Sequence, residues 1–438
     1  MCIRDFVIIR GGLLGAVLML SVEAKCQQIY EERFDVDTFS NSIYYKPYTK
    51  QFDSNFFLPD SIFAYGQKMP VKCIDLGAFT GRKEIQSIRL PEHLEEIGFE
   101  AFANCSNLRS LYLPSEVRVI DNSSFVNVNL LKVEVATENK HFDSRDNCNA
   151  IINSLTNTIV VGTASSIIPR SVTAIGENAF SGRTMLKNIQ LSSAIEKIDD
   201  YAFRGCTSLN NVKIDHSDGV RTSGLRKIGA LAFAGCKELE EIVLPPTLKT
   251  ISTGAFYGCK KLRSIVIPSS VDSIGGSLFD NCHDLESIVV ESGNSNYDSR
   301  NNCNAIIESK SNKLIAGCKN STVPKSVRII GRGAFAGQDG IKHMVLPDGI
   351  VEIEEGAFNA CKNLESIVLP ESIRELGDYF GGCNKLKRII VHSKTPPNHA
   401  FDQSMDYQNI TLCVPKGYVK RYRESGWDMF KNICEIER

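Results

Sequence analysis

Apolar positions recur along most of the chain at one fixed spacing. A Phe, usually preceded by Ala, marks the register: Ala78-Phe79, Ala101-Phe102, Ser124-Phe125, Ala179-Phe180, Ala202-Phe203, Ala232-Phe233, Ala255-Phe256, Leu278-Phe279, Ala334-Phe335, Ala357-Phe358 and Tyr379-Phe380. Successive steps are 23, 23, 55, 23, 30, 23, 23, 56, 23 and 22 residues. The unit is therefore 23 residues long. The two long steps hold an inserted piece, and the step of 30 holds a bulge around Ser217 to Ser223. Self-similarity at such a period is the mark of a stacked-repeat architecture.

One unit runs Leu262, Ile265, Ile267, Pro268, Val271, Ile274, Leu278, Phe279, Cys282, and Leu285 opens the next. Ile265 and Ile267 alternate at period two, which predicts a short strand with one face inward. Pro268 ends it, because proline offers no N–H to a further ladder bond. Val271 and Ile274 line a second extended or turn segment. Gly275 and the Ala-Phe pair suit a tight corner or a short helical turn. A single unit buries too little apolar surface to fold alone, so stacked coils must share one core. The expectation is an elongated, curved, β-rich solenoid with short helical turns.

The motif L-x-x-I-x-L-P followed by the Ala-Phe anchor resembles the BspA-type (Treponema-type) leucine-rich repeats, over roughly residues 73 to 415. It departs from the common leucine-rich motif, where Asn or Cys stands three residues after the last strand Leu. Pro follows that Leu in this chain, and Cys comes after the Phe. The resemblance implies a leucine-rich repeat solenoid acting in surface adhesion, with host extracellular-matrix or cell-surface proteins as ligands.

The two inserted pieces are copies of one another. Asp143-Ser144-Arg145-Asp146-Asn147-Cys148-Asn149-Ala150 matches Asp298-Ser299-Arg300-Asn301-Asn302-Cys303-Asn304-Ala305 at an offset of 155 residues. The second predicts a hairpin, Ala305 to Ser309 and Lys313 to Gly317, turning at residues 310 to 312. The Asp-Ser-Arg-x-Asn run reads either as a cation or ligand loop or as a loop rich in Asx turns. One shared carboxylate favours the turns. Residues 25–72 carry Tyr44, Tyr45, Tyr48, Phe56 and Phe57 without period and read as an N-terminal cap. The solenoid occupies 73–415, with inserted segments near 136–168 and 291–323, and 416–438 reads as a C-terminal cap. The run from Val414-Pro415 to Trp427 and Phe430 resembles the terminal segment of Bacteroidetes leucine-rich proteins.

Composition narrows the function classes. Among 438 residues, 50 Lys and Arg balance 51 Asp and Glu, a net charge of −1 that argues against nucleic-acid binding. Arg4, Arg10 and the apolar run Gly11 to Val22, with Val22 and Ala24 at small-residue positions, predict a signal peptide over residues 1–24. The run is too short to span a membrane. Lys25 before Cys26 argues against lipidation of that cysteine. The chain is therefore expected to be secreted or held at the cell surface. Cys105, Cys206, Cys236, Cys259, Cys282, Cys361 and Cys383 each follow an anchor Phe by three residues. Arg82, Val128, Arg183 and Gln338 take that place in other units, so the position is structural, and a thiol there acts as a small hydrophobe. These thiols are expected to be free.

No nucleophile elbow, P-loop, dinucleotide fingerprint, zinc-protease motif or EF-hand loop occurs in the sequence. The histidines fall at unrelated repeat positions, so no catalytic residue, cofactor or metal is assigned, and a non-enzymatic role is expected. What the pattern offers is a surface. The outward residue of each strand reads Arg89, Tyr112, Glu134, Gln190, Lys213, then Val243, Val266, Val289, Val345, Val368 and Ile390. The last six, all β-branched and apolar, would form a continuous stripe, and a contiguous apolar patch marks a binding surface. β-branched residues also suit exposed strands on propensity alone. The stripe is the candidate contact for a protein ligand, with a glycan or bacterial partner as the alternative. The sequence leaves oligomeric state open.

Overall fold

The computed structural model describes residues 34–37, 42–45, 54–64, 67–215, 224–377, 380–399 and 407–437. The expected signal peptide, Cys26 and the bulge at Ser217 to Ser223 lie outside the described residues. The chain divides into two compact units, residues 1–143 and 144–438.

Each unit is a stack of coils with two short strands per coil. In the second unit the longer strands, such as Ser264–Ile267 and Ser287–Val290, pair in parallel and in register. Their burial alternates, so Ile265 and Ile267 enter the core while Ser264 and Val266 face out. The two-residue strands Ala174–Ile175, Lys197–Ile198, Lys227–Ile228, Thr250–Ile251 and Ser273–Ile274 form a second parallel ladder. In the first unit Ser110–Leu113 pairs with Lys132–Val135, and Glu96–Ile97 with Val119–Ile120.

The corner after the second strand is a run of turns rather than a helix. It is built around the anchor Phe. In seven coils, where one regular coil follows another, the Phe amide donates to the carbonyl one residue before the next anchor, as Phe180 does to Ala202 at 2.7 Å and Phe233 to Ala255 at 2.8 Å. This stacks the rings. Phe79, Phe102 and Phe125 follow one another with centroids 5.0 and 5.2 Å apart. Phe180, Phe203, Phe233, Phe256 and Phe279 continue the motif in the second unit, from 5.0 to 6.0 Å. Such spacings lie in the favourable range for aromatic pairs, and the rings bury most of their area.

The inserted pieces fold as predicted hairpins. Ile151–Asn153 runs antiparallel to Thr158–Val161, and Ala305–Glu308 to Lys313–Gly317. The second strand of each joins the short-strand ladder in parallel, against Ala174–Ile175 and Ile329–Ile330. Gly162 and Gly317 then stand where a coil would carry its Phe. A Cβ on Gly162 would lie 2.1 Å from the Phe180 ring, and one on Gly317 2.2 Å from the Phe335 ring. The ring of the following coil fills the space that these glycines leave.

The first coil strand lies inside the stretch assigned to the N-terminal cap. Asn55–Phe57 pairs in parallel with Ser87–Arg89, which sets Phe57 opposite Arg89. At the other end, Tyr422, Trp427 and Phe430 are fully buried against the core.

Candidate interaction surface

Strand alternation places every second side chain of the longer strands outside the core. In the second unit Val243, Val266, Val289 and Val345 are exposed by 68, 47, 44 and 68%. Val368 and Ile390 are half-buried. Val266 stands opposite Val289. Val345, Val368 and Ile390 stand in one register.

The stripe is not continuous, which corrects the sequence expectation. The inserted segment interrupts it between Val289 and Val345. The Ile288 amide donates to Asn304 Oδ1 at 2.7 Å, and the Val290 amide to Ser299 Oγ at 3.0 Å. Ser299 of the Asp-Ser-Arg-x-Asn run and Asn304 just after it thus satisfy the edge that the next coil would otherwise pair. The result is two apolar rows in register, Val266–Val289 and Val345–Val368–Ile390, with Val243 exposed one coil before the first but outside any strand. The cause is local: Ser299 and Asn304 offer hydrogen-bond acceptors where a regular coil offers backbone carbonyls.

The rest of that run braces the hairpin. Arg300 donates from Nε to Asp298 Oδ1 at 2.7 Å and from Nη2 to Asp298 Oδ2 at 2.6 Å. Its Nη1 reaches Asn312 Oδ1 across the turn at 2.8 Å. In the first copy Arg145 Nη1 reaches Asn157 Oδ1 at 2.9 Å. Burial raises the Asp298 carboxyl, but its bonds from Arg300 and Ser309 prevail and hold it below the usual range. The carboxylate is occupied by the protein itself, so the loop serves as a structural brace.

The cysteines after the anchors form a second internal ladder. Each donates its thiol to the carbonyl of an anchor Phe on the preceding coil: Cys206 to Phe180 at 3.1 Å, Cys236 to Phe203 at 3.3 Å and Cys282 to Phe256 at 3.1 Å. All are thiols and all are buried. Arg183 keeps this geometry, donating from Nε to Gly162 O at 2.8 Å while fully buried. Burial lowers its pKa to about 10, still far above neutrality. Gln338 reaches back to Phe279 O at 3.3 Å. In these coils the position is a hydrogen-bond donor facing a Phe-register carbonyl, which explains why Cys, Arg183 and Gln338 share it, while the buried Val128 fills it without a donor.

The first unit presents a different outward row. Phe57, Arg89, Tyr112 and Glu134 all face out, with Phe57 67% and Tyr112 54% exposed. Arg89 bonds Asp60 and Glu92. The sequence reading did not place Phe57 in this row, although Phe56-Phe57-Leu58-Pro59 repeats the order of Ile88-Arg89-Leu90-Pro91. Among the described residues no group of His, Cys, Asp and Glu is placed to hold a metal ion, and no helix is long and apolar enough to cross a membrane.

A family model, the BspA type leucine rich repeat region, matches residues 27–152, 160–221, 218–310 and 305–422. Among solved structures, the chain is similar to a leucine-rich repeat protein of Bacteroides ovatus, at 20% identity and TM-score 0.42, covering 92% of this chain and 98% of that one. A leucine rich cell surface protein of Faecalibacterium prausnitzii matches at 20% identity and TM-score 0.39, covering 82% and 92%. The pneumococcal vaccine antigen PcpA matches at 14% identity and TM-score 0.36, covering 93% and 99%. No curated protein sequence matches the chain. The 23-residue coil, its Phe corner and the family match agree, and the chain belongs to the BspA-type leucine-rich repeat family.

Proposed function

We propose that this chain is an exported, non-enzymatic repeat protein that binds another protein at the cell surface, through the two apolar rows of its second unit. The observation that carries the reading is the exposure of Val266, Val289 and Val345 on strand faces, and of Val243 one coil earlier, at positions whose counterparts Gln190 and Lys213 are polar. Burying a Val contributes roughly 1.5 kcal/mol or more, so three in a row supply a usable contact. Matrix or cell-surface proteins are the proposed ligand class. That a solved structure matching this chain is described as a cell surface protein is in keeping with the reading.

A second reading has its own observation. Exposed Phe57 and Tyr112 flanked by Arg89 and Glu134 provide flat apolar rings beside hydrogen-bonding groups, which suits a glycan.

The test is binding of the full chain to immobilised extracellular-matrix proteins and to a glycan array, with a Val266→Lys, Val289→Lys double variant in parallel. These side chains point away from the core, so the variant is expected to fold. Protein binding should fall at least tenfold, about 1.4 kcal/mol. Undiminished protein binding overturns the assignment to the Val rows. Glycan binding lost on Tyr112→Ala transfers the function to the first unit.

A further inference from the structure

The outward row of the last sheet changes chemistry at its end. Val345, Val368 and Ile390 are followed in register by Cys413 and then Cys434. The strands that carry them, Thr411–Val414 and Asn432–Glu435, are the last two of the sheet. The two sulfurs face each other at 2.8 Å. The coil thiols behave differently, since each is turned inward onto a backbone carbonyl, as Cys206 is onto Phe180. Among the described cysteines Cys434 alone is exposed.

We propose that Cys413 and Cys434 form a disulfide that staples the edge strand of the C-terminal sheet. Neighbouring positions on paired strands have Cα atoms about 5 Å apart, within the roughly 4.4–6.8 Å that a disulfide spans. The pair is separated by 21 positions in sequence. The bond would close a loop that holds Tyr422, Trp427 and Phe430, the buried aromatics of the cap. The strand needs such support, because Asn432–Glu435 pairs on one side only. An edge strand exposes unpaired backbone groups to other chains, and a cross-link limits its fraying. Two further bonds already hold it, Ile436 N–H to Val414 O and Gly417 N–H to Glu435 Oε1, each 2.8 Å.

The oxidant is another disulfide, from a small molecule or a thiol–disulfide oxidoreductase. The exposed Cys434 thiolate attacks one of its sulfurs, forming a mixed disulfide and releasing the first thiolate. Cys413 then gives up its proton and attacks Cys434 Sγ, which expels the second thiolate. Two protein thiols lose two electrons and two protons, and the reagent disulfide becomes two thiols.

The experiment treats the full chain with oxidised glutathione, blocks free thiols with iodoacetamide in denaturant, digests without reductant and reads the peptides by mass spectrometry. The expected result is one linked pair, Cys413 with Cys434, lighter by two hydrogens than the free peptides, with Cys236, Cys259 and Cys282 alkylated. Limited proteolysis within residues 416–438 should slow at least about tenfold on oxidation, because cleavage follows opening of the cap. A Cys434→Ser variant should lose that redox dependence. Recovery of both cysteines as alkylated thiols overturns the proposal. So does Cys434 linked only to glutathione or to a second copy of the chain.

Discussion

The thiol of Cys259 donates to the carbonyl oxygen of Phe233, one coil back, at 3.2 Å. The same Phe233 uses its amide to bond Ala255, the residue before the next anchor, at 2.8 Å. The carbonyl and amide of one residue are thus both satisfied by the following coil. The thiol half of this attachment repeats wherever a coil carries the Cys, and it explains why Phe and Cys three residues later travel together in seven units.

Burial pushes the Cys259 thiol up to about 12, and Cys236 and Cys282 well above the usual thiol value. In native protein at pH 8 these three should resist iodoacetamide. After denaturation without reductant all three should label as free thiols. Pairing among them would refute the ladder. The folded value exceeds the unfolded 9.0. The stabilising contribution is therefore complete below about pH 9 and lost as pH climbs toward 12. Denaturation midpoints should fall across that window, less steeply in Cys259→Ala, which lacks that titration.

Phe256 is fully buried between Phe233 and Phe279, with centroids 5.7 and 6.0 Å away. Phe256→Ala removes both ring contacts and leaves a cavity that the fixed coils on either side cannot close. The loss should be on the order of 3–5 kcal/mol in chemical denaturation. A loss under about 1 kcal/mol, the scale of a surface change, would show that the ring column does not hold the coils together.

Asp280 follows the last anchor before the second insertion, and its Oδ1 is buried without a hydrogen-bond partner. Desolvation pushes the carboxyl up to about 7, against the pull of its bond with Ser277. The folded value lies above the unfolded 3.8. The favourable contribution is thus complete below about pH 4 and lost as pH rises through 7. Asp280→Asn should stabilise the chain at pH 8, on the order of 2 kcal/mol, and much less at pH 4. An equal change at both pH values would mean that the ionisation of Asp280 does not limit stability.

Sequence by itself determined the register of this protein. One Phe per 23 residues, the period-two alternation of Ile265 and Ile267, and the Pro that ends strands such as Ser264–Ile267 are local facts, and all were realised. The inserted hairpins were legible because turn residues and apolar runs lie next to each other in the chain. One further signal was legible and went unread. The second residue after the anchor is Gly or Asn in nearly every unit, as at Gly205, Gly235, Gly258, Asn104 and Asn281, with φ of 71, 73, 68, 62 and 60°. A left-handed backbone costs other residues about 1–2 kcal/mol, which selects those types.

Tertiary structure alone decided the rest. The second residue before the anchor is also left-handed; it is Gly at 77, 254, 333 and 356 and Asn at 178, yet Glu100, Tyr201 and Leu231 take it with φ of 52, 58 and 52°. In those coils residue type does not announce it, because the next coil imposes it: Tyr201 and Leu231 donate their amides to Ala230 and Thr253. The division of the Val rows had the same kind of origin, since Ser299 and Asn304 lie far from Val345 in sequence but occupy the strand edge beside Val289. The meeting of Cys413 with Cys434 depends on the fold of the cap between them. Period and alternation are written within a single coil, whereas strain, interruption and close approach arise where one coil's backbone meets the next.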